Sequence, residues 1–155
     1  MTRTRYNSGI GSKLLIGAVL LILLAAVSAM IFAFAKNEQF NSFKRELSSL
    51  SGGVKSELYT EYKGNIYEIT KKDFSHIYTF LTSSTRQDSQ SGADITDSFS
   101  IHLKNMNKEG VLSINETDTE YIIVSFNTQN SEYTYWFKSV VGYGSLLKLS
   151  GAPAK

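Results

Sequence analysis

The chain is thinly supplied with side chains that do chemistry. Its 155 residues include two histidines, His76 and His102, and no cysteine. Disulfides, thiolate metal sites and a cysteine nucleophile are therefore excluded, as is a lipid-modified amino-terminal cysteine. A histidine pair could ligate a metal or transfer a proton. Neither histidine has a carboxylate at a recognisable ligand spacing, so both read as solvated surface residues. Acid–base hydrolysis would use His102 with a nearby carboxylate, Asp94 or Asp97. Asn115-Glu116-Thr117-Asp118-Thr119-Glu120 concentrates oxygen donors but lacks the glycine and distant bidentate glutamate of a calcium loop. It reads as a polar connection between strands. Asn115-x-Thr117 is a glycosylation acceptor only in a eukaryotic host. No serine stands in Gly-x-Ser-x-Gly, and no Ser-x-x-Lys opens a helix with its accompanying motifs. Gly142-x-Gly144 is too short for a dinucleotide fingerprint. No catalytic residue, cofactor or metal is expected, and the chain reads as a non-enzyme.

Tyrosine is the compositional excess. Tyr59, Tyr62, Tyr67, Tyr78, Tyr121, Tyr133, Tyr135 and Tyr143 accompany a single tryptophan, Trp136. Aromatic residues on one sheet face make a platform for a glycan or a partner protein. They also populate half-buried strands without any ligand. Alternation puts Tyr133, Tyr135 and Phe137 on one face and Thr134 and Trp136 on the other. If the first face meets a helix, Trp136 is the exposed aromatic, and with His102 it forms the candidate contact surface.

The elements that must position these residues follow from periodicity. Residues 36–50 stay helical, with Phe40, Phe43, Leu47 and Leu50 recurring at steps of three and four. That apolar stripe can pair with a second copy, lie on lipid, or pack on the domain itself. Ser51-Gly52-Gly53 breaks it, two glycines costing about 2 kcal/mol relative to alanine. Residues 57–62 and 66–70 flank Lys63-Gly64-Asn65 and predict a hairpin with glycine at its turn. Thr70 with Asp73 makes a capping box, followed by Phe74, Ile77, Tyr78 and Leu81 on one helical face. Residues 83–98 are polar and mixed and read as a loop. Phe99, Ile101 and Leu103 then alternate with Ser100, His102 and Lys104 as a half-buried strand. Asn107-Lys108-Glu109-Gly110 turns the chain into residues 111–115, and 121–126 and 133–137 continue an antiparallel meander. Residues 145–149 form a short apolar end piece and 151–155 a frayed tail. The expected fold is α+β: ββα, then three to four strands, one amphipathic helix packing on an antiparallel sheet.

Ahead of this domain lies an apolar stretch. Residues 14–35 carry neither charge nor proline, and as a helix they would extend roughly 33 Å against a hydrocarbon core of roughly 30 Å. The expected organisation is a cytoplasmic tail (1–13), a transmembrane helix (14–35), a juxtamembrane helix and hinge (36–53), an extracytoplasmic domain (54–150) and a tail (151–155). Arg3, Arg5 and Lys13 precede the span; Lys36, Lys44 and Arg45 follow it, offset by Glu38 and Glu46. Basic residues are balanced, so the positive-inside rule does not decide orientation. A short tail and a large carboxy-terminal domain fit a signal-anchor with its amino terminus in the cytoplasm. The alternative is cleavage after Val27-Ser28-Ala29 or Ala33-Phe34-Ala35, releasing a secreted domain, although secretory apolar regions usually run to about 7–15 residues. Ala25, Ala29 and Ala33 recur at four-residue spacing, a candidate span-pairing face for a homo-oligomer. The net charge of +2, with basic residues scattered among acidic ones, argues against nucleic acid.

The run Leu58-Tyr59-Thr60-Glu61-Tyr62-Lys63-Gly64-Asn65-Ile66-Tyr67-Glu68-Ile69-Thr70, with a capped helix and strand meander after it, resembles small uncharacterised membrane-anchored envelope proteins of Gram-positive bacteria. The likeness covers residues 54–149 and rests on element order. It implies a bacterial cell-envelope location and gives no catalytic residue to carry over. The absence of cysteine departs from the lipid-anchored members. The expectation is thus a single-pass, membrane-anchored extracytoplasmic binding or scaffolding domain. Its partners would be the lipid bilayer and an envelope protein or glycan. A hydrolase of envelope polymers is one alternative. A pilin-like assembly subunit is the other, although the span lacks the acidic residue and processing site of a pilin.

Overall fold

The computed structural model describes residues 8–87, 92–138 and 141–153. The chain divides into two compact units, Met1–Asn41 and Ser42–Lys155. A single uninterrupted helix, α1 (Ser8–Ser51), begins in the first unit and ends in the second. Its amino-terminal part is long and apolar enough to cross a membrane. Leu21, Met30 and Phe34 stand exposed there, as lipid-facing side chains would. Ser28 donates its hydroxyl to the Leu24 carbonyl (2.8 Å), so the one polar residue of the stretch is satisfied within the helix.

Among the described residues of the second unit, seven strands form one antiparallel sheet in the order β2-β1-β4-β5-β6-β7-β3. β1 (Ser56–Tyr62) and β2 (Asn65–Glu68) make the hairpin. Lys63 (φ 49°) and Gly64 (φ 75°) both have positive φ, as a two-residue type I′ turn requires. The amphipathic helix is α2 (Lys71–Ser83). The Thr70 hydroxyl accepts from the Asp73 N–H (3.1 Å) and donates to its carboxylate (2.6 Å). Phe74, Ile77 and Leu81 are buried. The meander is β4 (Ile95–Asn105), β5 (Lys108–Thr117), β6 (Tyr121–Thr128) and β7 (Glu132–Lys138).

Four expectations change. The polar stretch 83–98 is not all loop: Arg86–Gln87 is a short edge strand, β3, paired with Phe137 and Trp136, and β4 starts at Ile95. Edge pairing is a long-range contact that local polarity does not report. The turn after β4 is Met106-Asn107, because Asn105 pairs with Lys108, and Lys108–Gly110 belongs to β5. The apolar end piece is a helix, α3 (Tyr143–Leu149), which buries Tyr143, Leu146 and Leu147 at helical spacing. Packing also continues past Ser150: Ala152 is buried, and the Ser150 carbonyl accepts from the buried Thr60 hydroxyl (2.6 Å).

The end of α1 (from Ser42), α2 and α3 lie on one face of the sheet. Register places Thr60, Ile101, Leu112, Phe126 and Tyr133 on that face, and all five are buried. The end of α1 lies over β5–β7. Phe43 meets the rings of Phe126, Tyr133 and Tyr135 edge-on at 5.9, 5.8 and 5.3 Å. Of the three sites open to the Phe43, Leu47 and Leu50 stripe, the domain itself is therefore one that it occupies. Gly110 permits this approach: a Cβ there would lie 2.8 Å from Leu50 Cδ1 and 2.9 Å from Phe126 Cε2. The helix stops where Asn105 donates to the Ser49 carbonyl (2.8 Å). Gly53 leaves room for that amide, since a Cβ would fall 2.5 Å from its nitrogen. α3 covers the β1–β4 half of the same face, with Tyr143 against Phe99 (5.5 Å), and α2 contacts α3.

Candidate functional site

The other face of the sheet is not covered by any described element, and its residues line up in three cross-strand rows. The first runs Tyr59, His102, Val111, Asn127, Glu132. The second runs Glu61, Ser100, Ser113, Ser125, Thr134. The third runs Ser98, Asn115, Ile123, Trp136, Gln87. Period-two alternation builds these rows: each lies between core residues that hold its strand in register.

The side chains are tied to one another. Ser100 and Ser113 share a hydrogen bond (3.0 Å), as do Ser125 and Thr134 (3.2 Å). Asn115 donates to the Ile123 carbonyl (3.2 Å). At one end His102 Nε2 lies 3.1 Å from Glu61 Oε2, and its ring stacks on Tyr59 at 4.6 Å and 5°. At the other end is Trp136, half-buried. Tyr133 and Phe137 are buried on the helix-covered face, which leaves Trp136 on the uncovered one.

The hydrolase pairing is not assembled. Asp97 points to the covered side, where its carboxylate accepts from the Tyr62 hydroxyl (2.9 Å). Asp94 binds the turn after β5, its N–H donating to the Asp118 carboxylate (3.0 Å). It lies eight residues from His102 along the chain, on the order of 26 Å if extended. The carboxylate that does meet His102 is Glu61, from a neighbouring strand; sequence spacing alone does not find it. His76 is exposed on α2.

The oxygen-rich run from Asn115 is occupied by its own turn. Thr117 donates to the Tyr121 carbonyl (2.6 Å), and Glu120 pairs with Lys138 (2.9 Å). Among the described residues no group of three or more His, Cys, Asp or Glu could hold a metal. A cleft of about 110 Å³ between the end of α1 and the β6–β7 turn is lined by Glu46, Leu50, Lys108 and Thr128. That falls well below the roughly 300–1,000 Å³ of small-molecule sites, and Glu46 there accepts from the Ser131 hydroxyl (3.0 Å). Ala25, Ala29 and Ala33 lie exposed along α1.

Two phenols on the covered side are strongly shifted. Burial pushes Tyr135 up to about 12, against a smaller lowering by the Arg86 guanidinium. Burial pushes Tyr143 higher still, with Asp97, Tyr62 and Glu116 adding to it. Both act as core residues, and neither faces the open rows. Comparison with protein families, with characterised proteins and with solved structures finds no match to this chain.

Proposed function

We propose that this chain is a single-pass, membrane-tethered binding domain of a bacterial cell envelope. The amino terminus lies in the cytoplasm, the domain outside it, and the uncovered sheet face receives a partner without catalysis. The observation that carries the reading is the contrast between the two sheet faces. One is sealed by three helical segments; the other presents ordered hydroxyls with Tyr59 and Trp136 at its ends. The apolar start of α1 supports a tether, or a signal sequence in the alternative of a secreted domain. The separation of His102 from Asp94 and Asp97 favours binding over hydrolysis.

A photo-cross-linking residue placed at Ser113 in the full chain should give a reproducible adduct in native-type membranes. The same residue at Ser75, exposed on α2, should not. No adduct from Ser113, or equal adducts from both positions, would remove the binding-face reading.

A further inference from the structure

We infer that the uncovered face binds an uncharged polysaccharide chain, laid across the strands between Tyr59 and Trp136; this rests on the binding-face reading above. Charge is the first argument. In a chain with 19% charged residues, the inner positions of the three rows carry no Asp, Glu, Lys or Arg. Charges stand at the rim, where several are paired off: Glu61 with His102, Lys104 with Glu109 (3.4 Å) and Lys138 with Glu120. A polyanion such as nucleic acid, or an anionic lipid surface, needs clustered cations. This face has none at its centre.

Hydrogen-bonding capacity is the second argument. A serine or threonine hydroxyl donates once and accepts twice. The Ser100–Ser113 and Ser125–Thr134 bonds therefore fix orientation while leaving acceptor capacity on each oxygen. Short side chains also lose little rotamer entropy on binding. A ligand dense in hydroxyls matches such a row. A protein partner matches it poorly, because interface centres are depleted in serine and built on desolvated aromatic or arginine anchors. Here the aromatics stand diagonally on either side of the hydroxyl row, Tyr59 in the first row and Trp136 in the third. They are separated by four interstrand steps and four residues along the strand, or roughly 23 Å. Each offers an amphipathic ring, of the kind that meets the C–H face of a sugar ring while its neighbours bond the hydroxyls.

The sole tryptophan is itself the reporter. The full chain in detergent micelles would be titrated with a soluble glucose hexamer, an N-acetylglucosamine hexamer and, separately, an anionic phospholipid nanodisc, while Trp136 emission is followed. Either uncharged hexamer should give a saturable change at up to millimolar concentration. Tyr59→Ala and Ser113→Lys, with unchanged Tm, should each weaken it at least tenfold. No response to either hexamer, a response confined to the anionic nanodisc, or a response indifferent to both substitutions overturns the inference. If no sugar responds while Ser113 still cross-links to one protein reproducibly, the binding face stands and only the glycan falls.

Discussion

The phenol of Tyr143 is buried and has no hydrogen-bond partner among the described residues. A buried hydroxyl without a partner is a net loss, so Tyr143→Phe should raise stability by about 1 kcal/mol in denaturant unfolding. A loss of similar size would mean that the hydroxyl is satisfied. Ionisation adds a pH signature. Tyr135 is raised from its ordinary 10 to about 12, and Tyr143 further in the same direction. Both are neutral in the fold. Their contribution is complete below the unfolded value near 10 and is lost as pH rises through about 12. Phenolate absorbance should therefore show Tyr135 and Tyr143 ionising only above their ordinary 10, together with alkaline unfolding. Ionisation of either near 10 in a folded chain would contradict the burial. Gly110 makes a different kind of demand. Its added Cβ would press on Leu50 and Phe126, so Gly110→Ala should destabilise by about 1–3 kcal/mol through overpacking.

At the scale of elements, α2 and the end of α1 are each held by few residues. Thr70 caps α2 through Asp73, so Thr70→Ala should lower stability by about 1 kcal/mol. Leu47 is fully buried under the last turns of α1. Leu47→Ala should cost about 2–5 kcal/mol; a negligible change in Tm would mean that this part of α1 does not pack on the domain. The contrast also shows what was legible in the sequence. α2 was legible because its cap, apolar period and length all agree. The meander was legible from alternation around Ile101, Val124 and Tyr133. α3 was written in the spacing of Tyr143, Leu146 and Leu147, but a seven-residue piece that itself contains Gly144 reads equally well as a short extended piece. β3 was not legible, because two polar residues become a strand only through the β7 edge. The same limit hid Glu61 from His102. Their contact depends on the register of β1 against β4, whereas Trp136 followed from alternation within one strand.

For the whole molecule, what matters is an apolar helix followed by a domain sealed on one side of its sheet. Sealing one face and leaving the other wet is ordinary for an antiparallel sheet. On the proposed reading, the ordered hydroxyls at the charge-free centre of the wet face are what receives the partner. The central claim is that this face lies outside the cell while the chain remains in the membrane. Because the chain has no cysteine, single substitutions allow clean labelling with a membrane-impermeant maleimide. On intact cells, Ser113→Cys should label fully and stay with the membrane fraction through an alkaline wash. Thr4→Cys should label only after lysis. Labelling of Ser113→Cys only in broken cells, or its recovery in the soluble fraction, would contradict the tethered, outward-facing domain.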